Sequence, residues 1–127
     1  MDLNIKISLI NNKKNTFMGI GLVWLLLRIK KFKSINEAAK DMGMSYVKAL
    51  KILNCLEKNL GQKILIRKKG GSIRSQTEIT PFAEKFIKDY DEYQKKVKTF
   101  ADKEFLKFSK TIPIRRRKEK DKLNGKE

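Results

Sequence analysis

The sequence predicts a mainly helical α+β domain, a winged helix-turn-helix followed by a long C-terminal helix. Three observations carry that expectation. A glycine, Gly43, interrupts a helical pattern just ahead of the capping residue Ser45. Two short strand-like stretches, residues 63–69 and 77–80, flank a Gly70-Gly71 pair. An aromatic helical repeat then opens behind Pro81.

Taken in order, Leu3, Ile5, Ile7 and Leu9 alternate with Asn4, Lys6 and Ser8, the period of a half-buried strand over residues 3–10. The polar run 11–15 ends it. From about Gly19 to Phe32, Leu22, Leu25, Leu26 and Ile29 recur at helical spacing, while Val23, Trp24 and Leu27 make the other flank apolar. Such a helix has to be covered on two sides. Ser34 is placed to cap a second helix, with Glu37 completing a capping box, and Ser45 caps a third that ends at Leu60 before Gly61. Pro81 suits the first turn of the last helix, along which Phe82, Phe86, Tyr90, Tyr93, Val97 and Phe100 recur at steps of three and four. Beyond Pro113 almost nothing is apolar, which reads as a disordered tail. The division expected is a winged-helix head over residues 1–80, a long helix over 81–110 and a basic tail over 111–127.

Charge narrows the partner. The 127 residues hold 31 Lys and Arg against 14 Asp and Glu, a net charge of +17, which favours a polyanion. One cysteine and no histidine exclude a Cys/His zinc site, a Ser-His or Cys-His catalytic pair and an internal disulfide. The expectation is a protein that is no enzyme and carries no metal or cofactor, with no role for Cys55. Residues 17–27 follow Lys13 and Lys14 as the core of a signal peptide would. Arg28, Lys30 and Lys31 stand where its cleavage site should be, and the apolar run is far short of the ~18 residues needed to span a bilayer. A buried helix of a cytoplasmic protein fits better, and no membrane partner is expected.

Two helices joined by a short glycine-containing turn point to a helix-turn-helix, whose second helix enters the DNA major groove. Ala39 is small enough for close helix approach, and Met42, Met44, Ala49 and Ile52 fill the angle. Projected at 100° per residue, the third helix gathers Ala49, Leu53, Leu56 and Leu60 on one side. Val47, Lys48, Lys51 and Lys58 lie opposite, with Asn54 at the edge. A plain helical hairpin with a solvated lysine face is the competing explanation. The capped turn before this face and the basic hairpin after it favour DNA. The contact set expected is Ser34, Ser45, Tyr46, Val47, Lys48, Lys51, Asn54 and Lys58, joined by Arg67, Lys68, Lys69 and Arg74 of the wing against phosphates or the minor groove.

These stretches resemble the N-terminal DNA-binding domain of the molybdate-responsive ModE regulators, relatives of the LysR-type regulators. The likeness lies in GIG at 19–21, SINEAAKDMGMSYVKAL at 34–50, LEKNLG at 56–61, RKKGG at 67–71 and TEITPFAEKFIKDYDEY at 77–93. It covers roughly residues 17–105 in unbroken order. It implies a prokaryotic transcription factor that binds double-stranded DNA at an inverted-repeat operator as a homodimer, pairing through the first and the long helix. The interface would then comprise Leu22, Val23, Trp24, Leu27, Phe86, Tyr90, Tyr93, Val97 and Phe100. Full-length ModE regulators continue into a molybdate-binding module. The present sequence ends in basic residues with no molybdate site, so a short form is expected. The alternative is a sequence-tolerant architectural DNA-binding protein.

Overall fold

Among residues 1–69 and 75–113, which a computed structural model describes, the chain forms four helices and two antiparallel pairs of strands. The order is β1 (Leu9–Ile10), β2 (Thr16–Met18), α1 (Ile20–Phe32), α2 (Ile35–Asp41), α3 (Tyr46–Leu60), β3 (Leu65–Lys69), β4 (Ser75–Ile79) and α4 (Pro81–Lys110). It is a mainly helical α+β architecture. The chain divides into a larger compact unit, Lys6–Lys95, and a smaller one made of Met1–Ile5 and Lys96–Glu127. The first half of α4 thus packs as part of the larger unit. The hairpin loop expected at Gly70 and Gly71 and the tail expected beyond Pro113 lie outside the described residues.

In the larger unit each helix starts and stops where local chemistry dictates. The Ser34 hydroxyl accepts the Glu37 N–H at 3.1 Å, and the Ser45 hydroxyl accepts the Lys48 N–H at the same distance. Gly43, at φ +70°, takes the left-handed turn between α2 and α3, and Gly61, at φ +66°, ends α3. Thr80 caps α4 through Ala83 N–H at 3.1 Å, and its hydroxyl also donates to the Lys63 carbonyl at 2.8 Å. The start of α4 is thereby tied to the residue that leads into β3.

The core lies where α1, α2, α3 and the first part of α4 meet. Leu26, Ile29, Ala38, Ala39, Ala49, Leu56, Ile64 and Ala83 have no accessible surface, and Leu25 and Leu53 almost none. Ala39 and Ala49 are the small residues that let α2 and α3 approach, and Met42, Met44 and Ile52 pack at the rim of the same cluster. Truncating one of the large members, such as Leu26→Ala, would cost about 2–5 kcal/mol. From the surface of α1, Arg28 reaches Asp41 at the end of α2 (2.7 Å) and Lys30 reaches Glu84 of α4 (3.1 Å). The β3–β4 ladder runs from Leu65 opposite Ile79 to Lys69 opposite Ser75. It is held to the helices by Thr77 N–H on the Lys33 carbonyl at 3.0 Å.

In the smaller unit, α4 beyond Lys95 presents Phe100, Leu106 and Phe108, all more than half exposed. Leu3, Asn4 and Ile5 line a shallow depression with Lys98 and Asp102.

The strand expected over residues 3–10 shortens to Leu9–Ile10, which pairs with Thr16–Met18 through a bulged register. Two causes are visible. The partner strand is three residues long, and the Ile7 carbonyl accepts the Tyr90 hydroxyl in place of a ladder partner. Asn11 closes the turn, its side chain accepting the N–H groups of Lys13 and Asn15 at 2.9 and 3.0 Å. The strand β2 has no counterpart in the sequence reading, because Phe17 and Met18 merge there with the apolar run of α1.

Candidate nucleic-acid interface

The α3 helix, with 15 residues and no acid in its first turn, directs unopposed peptide dipoles and free N–H groups outward at its start. Ala49, Leu53 and Leu56 fix its rotation by burial, so the other faces follow from the 100° step. Val47, Lys51, Asn54 and Lys58 stand most nearly opposite the core, and all are exposed. Lys48 and Lys51 border one flank. On the other flank lies Tyr46, 39% exposed, whose hydroxyl accepts a long hydrogen bond from an Arg67 Nη2–H at 3.4 Å. The expected residues of α3 are therefore all exposed, with Tyr46 and Lys48 on opposite flanks of the face that Val47, Lys51, Asn54 and Lys58 form.

A second connection sets β3 against that surface. The Glu57 carboxylate accepts the N–H of Ile64 at 2.9 Å and of Leu65 at 3.3 Å. Arg67 is thereby brought beside the start of α3. Lys68 is held on its own ladder by Glu78 at 3.1 Å, leaving it less free for a phosphate than its charge alone suggests. Arg74 lies outside the described residues, and Lys69 is placed only by its register opposite Ser75. Ser34, half-buried, spends its acceptor capacity capping α2.

Neither Lys48 nor Lys51 has an acidic partner within 4.0 Å among the described residues, nor does Lys58. On α4, Lys85 sits 2.6 Å from Asp89 and Lys95 2.9 Å from Asp91. The hydrogen bond and charge of those carboxylates raise both ammonium pKa values above the ordinary range. The exposed side of α3 thus carries three lysines that no carboxylate among the described residues compensates. Among the described residues no cluster of three or more Cys, Asp or Glu could hold a metal, and no helix is long and apolar enough to cross a membrane.

The residues expected to pair two chains separate into two groups. Leu22, Val23 and Tyr90 belong to the chain's own core, at 6%, 4% and 5% exposure, so they are not available to a partner. The buried stripe of α4 runs Ala83, Ile87, Tyr90 and Gln94, and it overlaps the expected aromatic seam only at Tyr90. Burial of that hydroxyl raises its pKa above the ordinary phenol range. Trp24, Leu27, Tyr93 and Phe100 remain exposed, whereas Phe86 and Val97 are half-buried. What the sequence reading missed are Glu57 and Thr80, which position β3. Both are polar residues next to an element boundary, the one signal that could have found them.

Compared with known proteins, the chain matches no protein-family model and no curated protein.

Proposed function

We propose that this chain is a double-stranded-DNA-binding transcriptional regulator of the winged helix-turn-helix type, with α3 as the recognition helix and β3–β4 as the wing. One observation carries the reading: an exposed helix face of Val47, Lys51, Asn54 and Lys58, free of acids, begins at a capped turn and is flanked by Arg67 of an anchored strand pair. The lysines suit phosphates, and Asn54 and Val47 suit base edges and the thymine methyl group. Tyr46 and Arg67, in contact, would meet the backbone where helix and wing converge.

Kinship with the ModE DNA-binding domain, and action as a homodimer at an inverted repeat, belong to the same proposal. A single domain of this size reads few base edges, and two copies double the readout. The site is the cytoplasmic nucleoid.

The test is selection of duplexes from a random pool, followed by titration of the best sequence and of a scrambled one. Wild type should bind the selected duplex at least tenfold more tightly. The double replacement Lys51→Ala with Lys58→Ala should remove most affinity for both while leaving the circular dichroism spectrum unchanged. Equal affinity for selected and scrambled duplexes would instead favour the architectural role, and undiminished binding by the double variant would overturn the assignment of α3.

A further inference from the structure

On the flank of α3 away from Arg67 lies a groove of about 490 Å³ between β2, the start of α1 and the α2–α3 turn. Its floor and walls come from Phe17, Met18, Leu22, Met42, Met44 and Ile52. Lys48 and Lys51 stand at its edge, with Cys55 one turn further along the same face. No acidic side chain lines it, and neither lysine has an acidic partner among the described residues.

We infer that this groove binds a small amphipathic monoanion, an aryl or alkyl carboxylate whose apolar body lies on the Met and Phe side chains and whose head group meets Lys48 and Lys51. Volume, lining and charge each narrow the ligand. The volume falls within the range of small-molecule sites, which are mostly apolar with a few placed polar groups. Thioethers on the walls adapt to rings or chains of different outline. A neutral hydrocarbon would desolvate two ammonium groups without compensating them, and a polyphosphate would find apolar walls where it needs donors. A single carboxylate satisfies both conditions. The first turn of α1, which has no acid and no side-chain cap on Gly19, adds positive potential on the same side.

Lys51 also belongs to the face opposite the core, so the carboxylate and a DNA phosphate would compete for one ammonium group. That second clause rests on the proposed function. Binding in the groove does not.

The experiment uses the full chain without DNA, with 1-naphthoate as probe and 1-naphthalenemethanol as its uncharged counterpart. Calorimetry should give at least tenfold tighter binding of the naphthoate, and Lys48→Ala with Lys51→Ala should abolish that preference. Cys55, the chain's sole thiol and exposed, reports location: bound naphthoate should slow its alkylation by iodoacetamide several-fold. Cys55→Phe, at this exposed position, should block the groove and weaken binding without unfolding the chain. Equal affinities for acid and alcohol, an unchanged preference in the lysine variant, or an unprotected Cys55 would each overturn the site. Naphthoate should then raise the concentration of protein needed to bind duplex. If it binds and protects Cys55 but leaves duplex affinity unchanged, the competition is overturned and the site stands. If no duplex binds at all, the DNA reading fails and the site again stands.

Discussion

Glu57 holds Ile64: its carboxylate accepts the Ile64 N–H at 2.9 Å across the turn that follows α3. With the Leu65 N–H on the same oxygen at 3.3 Å, one side chain of α3 fixes where β3 begins. Ile64 is fully buried, so its amide has no water to turn to. Glu57→Ala should therefore cost about 1–3 kcal/mol in urea unfolding, and Glu57→Gln less, because the amide keeps an acceptor. Faster hydrogen exchange at Ile64 and Leu65 in the alanine variant would locate the loss. An alanine variant as stable as wild type would show that the carboxylate is not what positions the strand.

Gly43 and Lys33 occupy the same left-handed region, at φ +70° and +56°, with opposite consequences for substitution. A Cβ on Gly43 would meet no atom within 4 Å, so Gly43→Ala is opposed by backbone conformation alone, about 1–2 kcal/mol. Lys33 ends α1 without a glycine, its N–H bonded to the Ile29 carbonyl at 2.7 Å. Lys33→Gly should stabilise by about 0.5 kcal/mol, the relief of the left-handed penalty less the extra freedom glycine has when unfolded. Thermal unfolding of the two variants should move in opposite directions.

How far the sequence disclosed this structure depends on the range of the interaction that decides each element. The α2–turn–α3 unit was legible to the residue because Ser34, Gly43, Ser45 and Gly61 act within four positions of themselves. The exposed face of α3 was legible too, since burial of Ala49, Leu53 and Leu56 sets its rotation. The short β1 and the unforeseen β2 were not, because alternation reports a half-buried face and says nothing about the length of the pairing partner. The row of α4 that the chain itself buries was not legible either: aromatic spacing marks apolar rows, whereas the buried stripe of Ala83, Ile87, Tyr90 and Gln94 contains only one of those aromatics. Tyr90 belongs to the core because Ile7 offers it an acceptor.

That same contact makes stability depend on alkaline pH. Burial raises the Tyr90 pKa above the ordinary phenol value of about 10. Below that value the hydroxyl is protonated in folded and unfolded chains alike, so its contribution is intact. As pH rises past it, the unfolded chain ionises first and stability falls until the folded group also titrates. Tyr90→Phe should lose about 0.5–1.5 kcal/mol at pH 7 through the missing bond to Ile7, and the gap to wild type should narrow above pH 10. The two proteins differ at this one side chain, so the difference between the two curves isolates the phenol. A gap that stays constant to pH 11 would contradict the assignment.

The proposed homodimer gives the last prediction, because the exposed apolar residues of the larger unit offer two distinct surfaces. Trp24 and Leu27, 50% and 47% exposed, flank a groove of about 730 Å³ between α1 and the Pro81–Asp91 side of α4. Phe82, stacked on Phe86 with ring centroids 6.0 Å apart, and Tyr93 lie on the other side of the buried stripe of α4. The α1 side has the anatomy of an interface: neighbouring large apolar groups at its centre and the pairs Lys30–Glu84 and Lys85–Asp89 at its rim. A tryptophan and a leucine left in water on adjacent turns form a patch that a monomer gains nothing by exposing. Sedimentation equilibrium of wild type at micromolar concentration without DNA should therefore give about twice 14.8 kDa. Trp24→Glu with Leu27→Glu should give the monomer mass with an unchanged helical spectrum, and Tyr93→Glu should remain dimeric. The reverse result would move the interface to the aromatic side of α4, and a monomeric wild type would remove the dimer from the proposal.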